Sequence, residues 1–205
     1  MGNHVDTLLN LISTVDTNQR CILGLDGLSR SGKTTLSNKL VESLKEKNIP
    51  HQIIHIDDHI VERANRYHTE NAEWIEFYQL QWDIQWLTNY LFGKLKISNE
   101  LKLPFYEVES DTSKMKTIQL PANGVIVIEG VFLQRKEWRN FFDKIVYLDY
   151  PRDKRFLRES EKSQENISKF TNRYWKAEDY YLNNLLPREN ADLVIKEGDL
   201  SADNR

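Results

Sequence analysis

A chain of 205 residues with 40% hydrophobic and 29% charged residues can bury a real core, which excludes intrinsic disorder and predicts one domain over residues 1–205 with room for a lid. A net charge of −3 leaves no basic footprint, and no run approaches 18 apolar residues, so neither a nucleic-acid partner nor a membrane is expected. The lone Cys21 cannot form an internal disulfide, and "MGNHVDTLLNLISTV" has neither a basic leader nor a long apolar core. A reduced, cytoplasmic setting is therefore expected. Met1-Gly2 opens like a myristoylation signal, but Asp6 stands where that signal needs Ser or Thr.

In chain order, Val5, Leu8, Leu9, Ile12 and Val15 have helical spacing, and "CILGLD" then reads as a short buried strand. Residues 33–47 suit a helix with Leu36, Leu40 and Leu44 inward, stopped by Asn48 and Pro50. "QIIHID" is the second strand, and a long helix is expected from about Glu73 to Leu95. Along it, Trp74, Tyr78, Trp82, Trp86 and Tyr90 form an aromatic stripe for core packing or a subunit contact, so a homo-oligomer stays open. Residues 101–120 alternate around a polar centre like a hairpin or flap. "GVIVIEG", "KIVYLDY" and "ADLVIK" supply three further strands. Strands separated by helices predict an α/β three-layer sandwich, a mostly parallel five-stranded sheet with helices on both faces.

Between the first strand and the next helix, Gly27, Leu28, Ser29, Arg30, Ser31, Gly32, Lys33 and Thr34 spell G-x-x-x-x-G-K-T, with Thr35 following. Backbone amides that wrap a phosphate must face inward, which glycines permit, and the helix start adds its positive end. Lys33 would reach the β- and γ-phosphates and the Thr34 hydroxyl would ligate Mg²⁺. The expected cofactors are ATP and Mg²⁺. No N-K-x-D for guanine is present.

Ligands of open parallel sheets bind beyond the carboxyl ends of the strands, where this sequence places Asp57, Asp58, Glu129 and Asp149. Glu129 is placed as a Walker-B acid for Mg²⁺, and Asp57 as a general base or metal contact. Asp58 suits capping of the next segment, and Asp149, two residues before Pro151, suits a turn. Arg152, Arg155 and Arg158 recur every three residues from Pro151, on one side of a lid helix within about 151–175, where guanidinium forks would clamp phosphate.

These stretches together, from about Cys21 to Lys196, resemble the uridine kinase and phosphoribulokinase family of P-loop kinases. "GLDGLSRSGKTTL" is similar to its phosphate loop, "IEG" to its third-strand signature, "LPFYE" to its P-x-Y-D segment, and "DYPRDKRFLRE" to its lid. The resemblance implies Asp57 as catalytic acid, Arg155 and Arg158 as lid arginines, and Asp57, Tyr106, Asp111 and Glu129 as acceptor-binding residues. The sequence departs from the family's pyrimidine-nucleoside kinases, with "DDHI" for D-S-F-Y, Asp111 near the position of a base-reading histidine, and no F-D-H-P before the long helix. The expectation is a kinase moving the ATP γ-phosphoryl group to an alcohol of a small metabolite, with Lys33, Asp57, Arg155 and Arg158 catalytic. A nucleotide-binding switch without a small acceptor is the alternative.

Overall fold

The computed structural model describes residues 4–15 and 19–197. Met1 and Gly2, with the question of myristoylation, lie outside the described residues, as do the two ends of the 1–205 span. Five strands, β1 (Arg20–Gly27), β2 (His51–His55), β5 (Gly124–Gly130), β6 (Lys144–Asp149) and β7 (Leu193–Lys196), form one sheet in the order β2-β5-β1-β6-β7. Every pairing in it is parallel, so the sheet expected to be mostly parallel is wholly so. Strands β3 (Glu100–Glu107) and β4 (Thr112–Gln119) make a separate antiparallel hairpin at the predicted flap.

Alternation along β1 sorts the two faces of the sheet. Cys21, Leu23 and Leu25 point to one side, where helices α1 (His4–Ser13) and α2 (Lys33–Glu46) bring Val5, Leu8, Leu36, Leu40 and Leu44. Each such leucine contributes about 1.5–3 kcal/mol by leaving water. Ile22 points to the other side, joining Ile126, Ile128 and Tyr147 against an aromatic layer of Phe77, Tyr78, Trp82, Phe132 and Tyr181. Tyr181 belongs to the helix Trp175–Leu185. Among the described residues no helix is long and apolar enough to cross a membrane.

The long helix expected over 73–95 is broken. A single turn at Glu73–Ile75 widens into a π-turn at Glu76–Leu80, and a separate helix, α3 (Ile84–Tyr90), follows. Two carbonyls that an unbroken helix would use are taken by distant groups. Arg135 Nη2 donates to the Tyr78 carbonyl at 2.6 Å, and the Val61 amide donates to Gln81 at 3.0 Å. Asp83 then caps α3 by accepting from the Trp86 amide at 2.9 Å. The aromatic stripe therefore splits. Tyr78 and Trp82 are core, Trp74 packs on Tyr180, and Trp86 pairs with a half-exposed Tyr90.

Helix α4 (Arg152–Phe156) is likewise shorter than the arginine spacing suggests, and Arg158 lies in the turn after it. Helix α5 spans Trp175–Leu185.

Candidate active site

Parallel pairing sets the chemistry at one edge. His55 at the end of β2 is in register with Glu129 of β5, and Asp26 of β1 with Gly130, so the loops after three neighbouring strands open at the same place. Gly27 ends β1 with φ +156°, and a Cβ there would meet Ser31 Oγ at 2.8 Å and the Leu148 carbonyl at 2.9 Å. Only glycine lets the loop turn that closely. Gly130 is constrained by contact instead. A Cβ on it would fall 2.0 Å from Ile56 Cγ2, so the β5 end and the turn bearing Asp57 pack backbone against side chain.

Ser29, Arg30, Gly32, Lys33, Thr34 and Thr35 line a cavity of about 1120 Å³ together with Asp57, Glu129, Arg155 and Arg158. Gly27, Leu28 and Ser31 are not among its lining residues. They shape the loop from behind. Lys33 is 6% exposed, its Nζ donates to the Leu28 carbonyl at 3.1 Å, and burial pulls its pKa down against the opposing pull of Glu129 and Asp57. Thr34 Oγ1 lies 3.2 Å from both carboxylate oxygens of Glu129, and His55 Nδ1 holds Glu129 Oε2 at 2.7 Å. Burial pushes the Glu129 carboxyl up, but the His55 hydrogen bond and the Lys33 charge outweigh it and keep the acid below its ordinary range. A hydroxyl and an ionised carboxylate side by side suit Mg²⁺ completed by phosphate oxygens and water. Among the described residues no three His, Cys, Asp or Glu converge into a cage of their own.

Asp57 lies in a 3₁₀ turn, Ile56–His59, just past the end of β2 rather than on the strand. Asp57 is solvent-exposed at the mouth of the cavity, yet the protein packed around its carboxylate raises its pKa, with Lys33 opposing and Glu129 adding to the rise. Asp58 is inside the same turn and does not cap the next segment, since the short helix Arg63–Arg66 starts at Glu62 with no side-chain cap. Asp149 accepts from Arg188 at 2.8 Å and does not line the cavity.

Arg155 and Arg158 both reach the phosphate loop. Arg155 Nη1 donates to the Ser29 carbonyl at 3.0 Å while both its terminal nitrogens grip Glu178. Arg158 Nη1 donates to the Arg30 carbonyl at 3.0 Å, and its guanidinium stacks on Tyr150 at 4.0 Å. Tyr106 and Asp111 fall elsewhere. The Tyr106 hydroxyl donates to Asp111 Oδ1 at 2.8 Å, the Arg63 amide donates to the same oxygen, and neither residue lines the cavity.

Three participants escaped the sequence reading. His55 is set on Glu129 by strand register, and Glu178 is brought to Arg155 by helix α5 packing, neither of which leaves a local signal. Asp26 did leave one, an acid inside the apolar run "CILGLD". Fully buried, its carboxylate accepts from the Gly27 amide at 2.8 Å, Gln134 Nε2 at 3.0 Å, Tyr181 Oη at 2.5 Å and the Leu133 amide at 3.3 Å. It ties the first amide of the phosphate loop to the turn after β5 and to helix α5.

The Phosphoribulokinase / Uridine kinase family profile matches residues 22–198. A uridine kinase of Borrelia duttonii is 28% identical over 189 residues, covering 86% of each chain, and one of Borrelia garinii subsp. bavariensis is 29% identical over 192 residues with the same coverage. A solved structure described as "a Possible Uridine Kinase from Bacillus stearothermophilus" is 54% identical, superposes with a TM-score of 0.83, and covers 93% of this chain and 96% of its own. These likenesses favour an enzyme over a nucleotide switch. With a phosphate loop, a hydroxyl–carboxylate pair and Asp57 gathered at one sheet edge, this chain belongs to the phosphoribulokinase and uridine kinase family, as a small-molecule kinase that phosphorylates an alcohol.

Proposed function

We propose that the protein transfers the γ-phosphoryl group of ATP, with Mg²⁺, to a hydroxyl of a small metabolite other than uridine or cytidine. The observation that carries this reading is the single cavity shared by Lys33, Thr34, Asp57, Glu129, Arg155 and Arg158. The loop from Gly27 to Thr35 holds the triphosphate by its amides, and Lys33 follows the migrating charge. Thr34 and Glu129 hold Mg²⁺, which when bound neutralises charge on the phosphate oxygens. Asp57 takes the acceptor proton, and the lid over 151–175 brings Arg155 and Arg158 to the transferring group.

The departure from pyrimidine nucleosides is supported by the sequence, which has "DDHI" after β2 where the family's pyrimidine-nucleoside kinases carry D-S-F-Y, and no F-D-H-P before residues 73–95. The hairpin 101–120 acts as a flap over the acceptor side. ATP consumption measured with and without a metabolite pool tests the kinase reading, since turnover should rise only when an acceptor is added. A kcat/KM for uridine near 10⁵ M⁻¹s⁻¹, ordinary for an enzyme on its own substrate, would overturn the exclusion of pyrimidine nucleosides.

A further inference from the structure

Beside the phosphate loop's own cations lies a second positive cluster that the kinase chemistry does not use. Three cations surround the ring of Tyr67: Arg173 at 4.1 Å, Arg66 at 4.8 Å and Lys169 at 5.6 Å from its centroid. Arg66 and Arg173 are 5% and 1% exposed. One carboxylate answers them. Glu76 pairs with Arg173 Nη1 at 2.7 Å. Among the described residues neither Arg66 nor Lys169 has an acid within ion-pair distance.

Their other partners are neutral. Arg66 donates to the Val61 carbonyl at 2.8 Å, to the Tyr106 hydroxyl at 3.3 Å and to Gln81 Oε1 at 3.4 Å. Arg173 donates to the carbonyls of Glu73 and Arg66, and its buried Nε has no acceptor. Aromatic faces attract cations, but they return less than the hydration that burial removes. Three cations with Glu76 in contact and Asp111 one hydroxyl away, behind Tyr106, leave an excess of positive charge and an unsatisfied N–H at this spot.

The cluster borders the cavity that holds Asp57. Lys169, Gln81 and Tyr174 line that cavity, with Lys169 Nζ 5.4 Å from the Tyr174 ring and Tyr174 packed on Phe77 at 4.9 Å. The segment from Ile60 to Arg66 leads from the Asp57 turn to the cluster.

We infer that the phosphoryl acceptor is itself an anion, a small hydroxylated metabolite whose carboxylate or phosphate docks on Lys169 with Arg66 and Arg173 behind it. This rests on the kinase reading above and deepens it. The acceptor O–H gives its proton to Asp57, its oxygen bonds the γ-phosphorus, and the bond from that phosphorus to the bridging oxygen breaks, releasing ADP. Uridine and cytidine, being neutral, leave the cluster unanswered.

The test takes a bacterial metabolite extract freed of nucleotides on charcoal, restores uridine and cytidine, which charcoal also removes, divides it into neutral and anionic pools by ion exchange, and offers each with ATP to the purified protein. Phosphorylated product is read by mass spectrometry. Product is expected from the anionic pool, and its identity distinguishes carboxylate from phosphate. For that acceptor Lys169→Gln should raise KM by about 10- to 100-fold with KM for ATP changed less than twofold, and Lys169→Arg should restore most of it. Product from the neutral pool alone, or an acceptor KM indifferent to Lys169→Gln, overturns the inference and leaves the kinase reading standing. No product from either pool overturns both.

Discussion

Arg155 is clasped by Glu178, Nη1 to Oε1 at 2.7 Å and Nη2 to Oε2 at 2.8 Å, and the pair is buried, at 6% and 5% side-chain exposure. An arginine held this way is oriented before any nucleotide arrives. It also makes Arg155 a poor choice for a purely catalytic test, because removing it strands a buried carboxylate. Arg155→Gln should cost about 3 kcal/mol, the lower end for a broken buried pair, since Arg152 Nε remains 3.4 Å from Glu178 Oε2. In a chain of this size that lowers Tm by about 6–12 °C. Arg158 is exposed, donating to the Arg30 carbonyl and stacking on Tyr150 at the surface, so Arg158→Gln should keep Tm within about 2 °C while lowering kcat more than it weakens ATP binding without acceptor. Thermal melts and steady-state kinetics on the two variants check this, and an unchanged kcat for Arg158→Gln would reduce that arginine to a solvated contact.

Lys33→Ala should lower kcat by roughly 10² or more with the circular dichroism spectrum intact, the usual loss when one preorganised cationic contact to migrating charge is removed. Its Nζ donates to the Leu28 carbonyl, a hydrogen bond that water can replace once the side chain is shortened. Near-normal transfer by a folded Lys33→Ala protein would refute the phosphate-loop assignment.

Where a signal was local, the sequence carried it. The apolar run, glycine loop and amphipathic helix of residues 21–47 follow one another without a break, and β1, the loop and α2 stand where the pattern places them. The helix over 73–95 failed because the groups that interrupt it, Arg135 and Val61, come from outside the segment. The same limit hid Glu178, which is 23 residues from Arg155, and His55, whose 74-residue separation from Glu129 is closed by strand pairing. Tyr106 and Asp111 show the converse. Their place in a motif resembles an acceptor site, yet tertiary contacts spend both on Arg63, Arg66 and each other.

Cys21, the second residue of β1, is buried, and burial first, with Asp143 adding, pushes its thiol up to about 11. At pH 8 the folded protein therefore holds the thiol protonated, and Ellman's reagent should react only after denaturant is added. Stability follows the same proton. Between the ordinary value of 9.0 and about 11 the unfolded chain loses the proton that the folded chain keeps, so this group's contribution falls as pH rises through that window. Rapid labelling of the native protein at pH 8 would contradict the burial.

Asp57 ties the fold to the chemistry. Its carboxylate sits in the turn after β2, open to the cavity and within the field of Lys33 and Glu129. An acceptor hydroxyl ionises far above neutrality, so a carboxylate that receives its proton late in transfer contributes about 10² to 10⁴ in rate. Asp57→Asn keeps the shape and loses the basicity, so ATP affinity should change less than about threefold while kcat falls by that factor. The pH profile supplies a second reading. Desolvation raises the Asp57 pKa above the ordinary 3.8, and only the deprotonated form accepts a proton, so kcat/KM should decline on acidification at a pH higher than an ordinary aspartate would give. The residual activity of Asp57→Asn should lack that decline. Should the variant retain kcat within threefold of the parent, or keep the same acidic limb, the proton goes to another group and Asp57 serves only to place the acceptor.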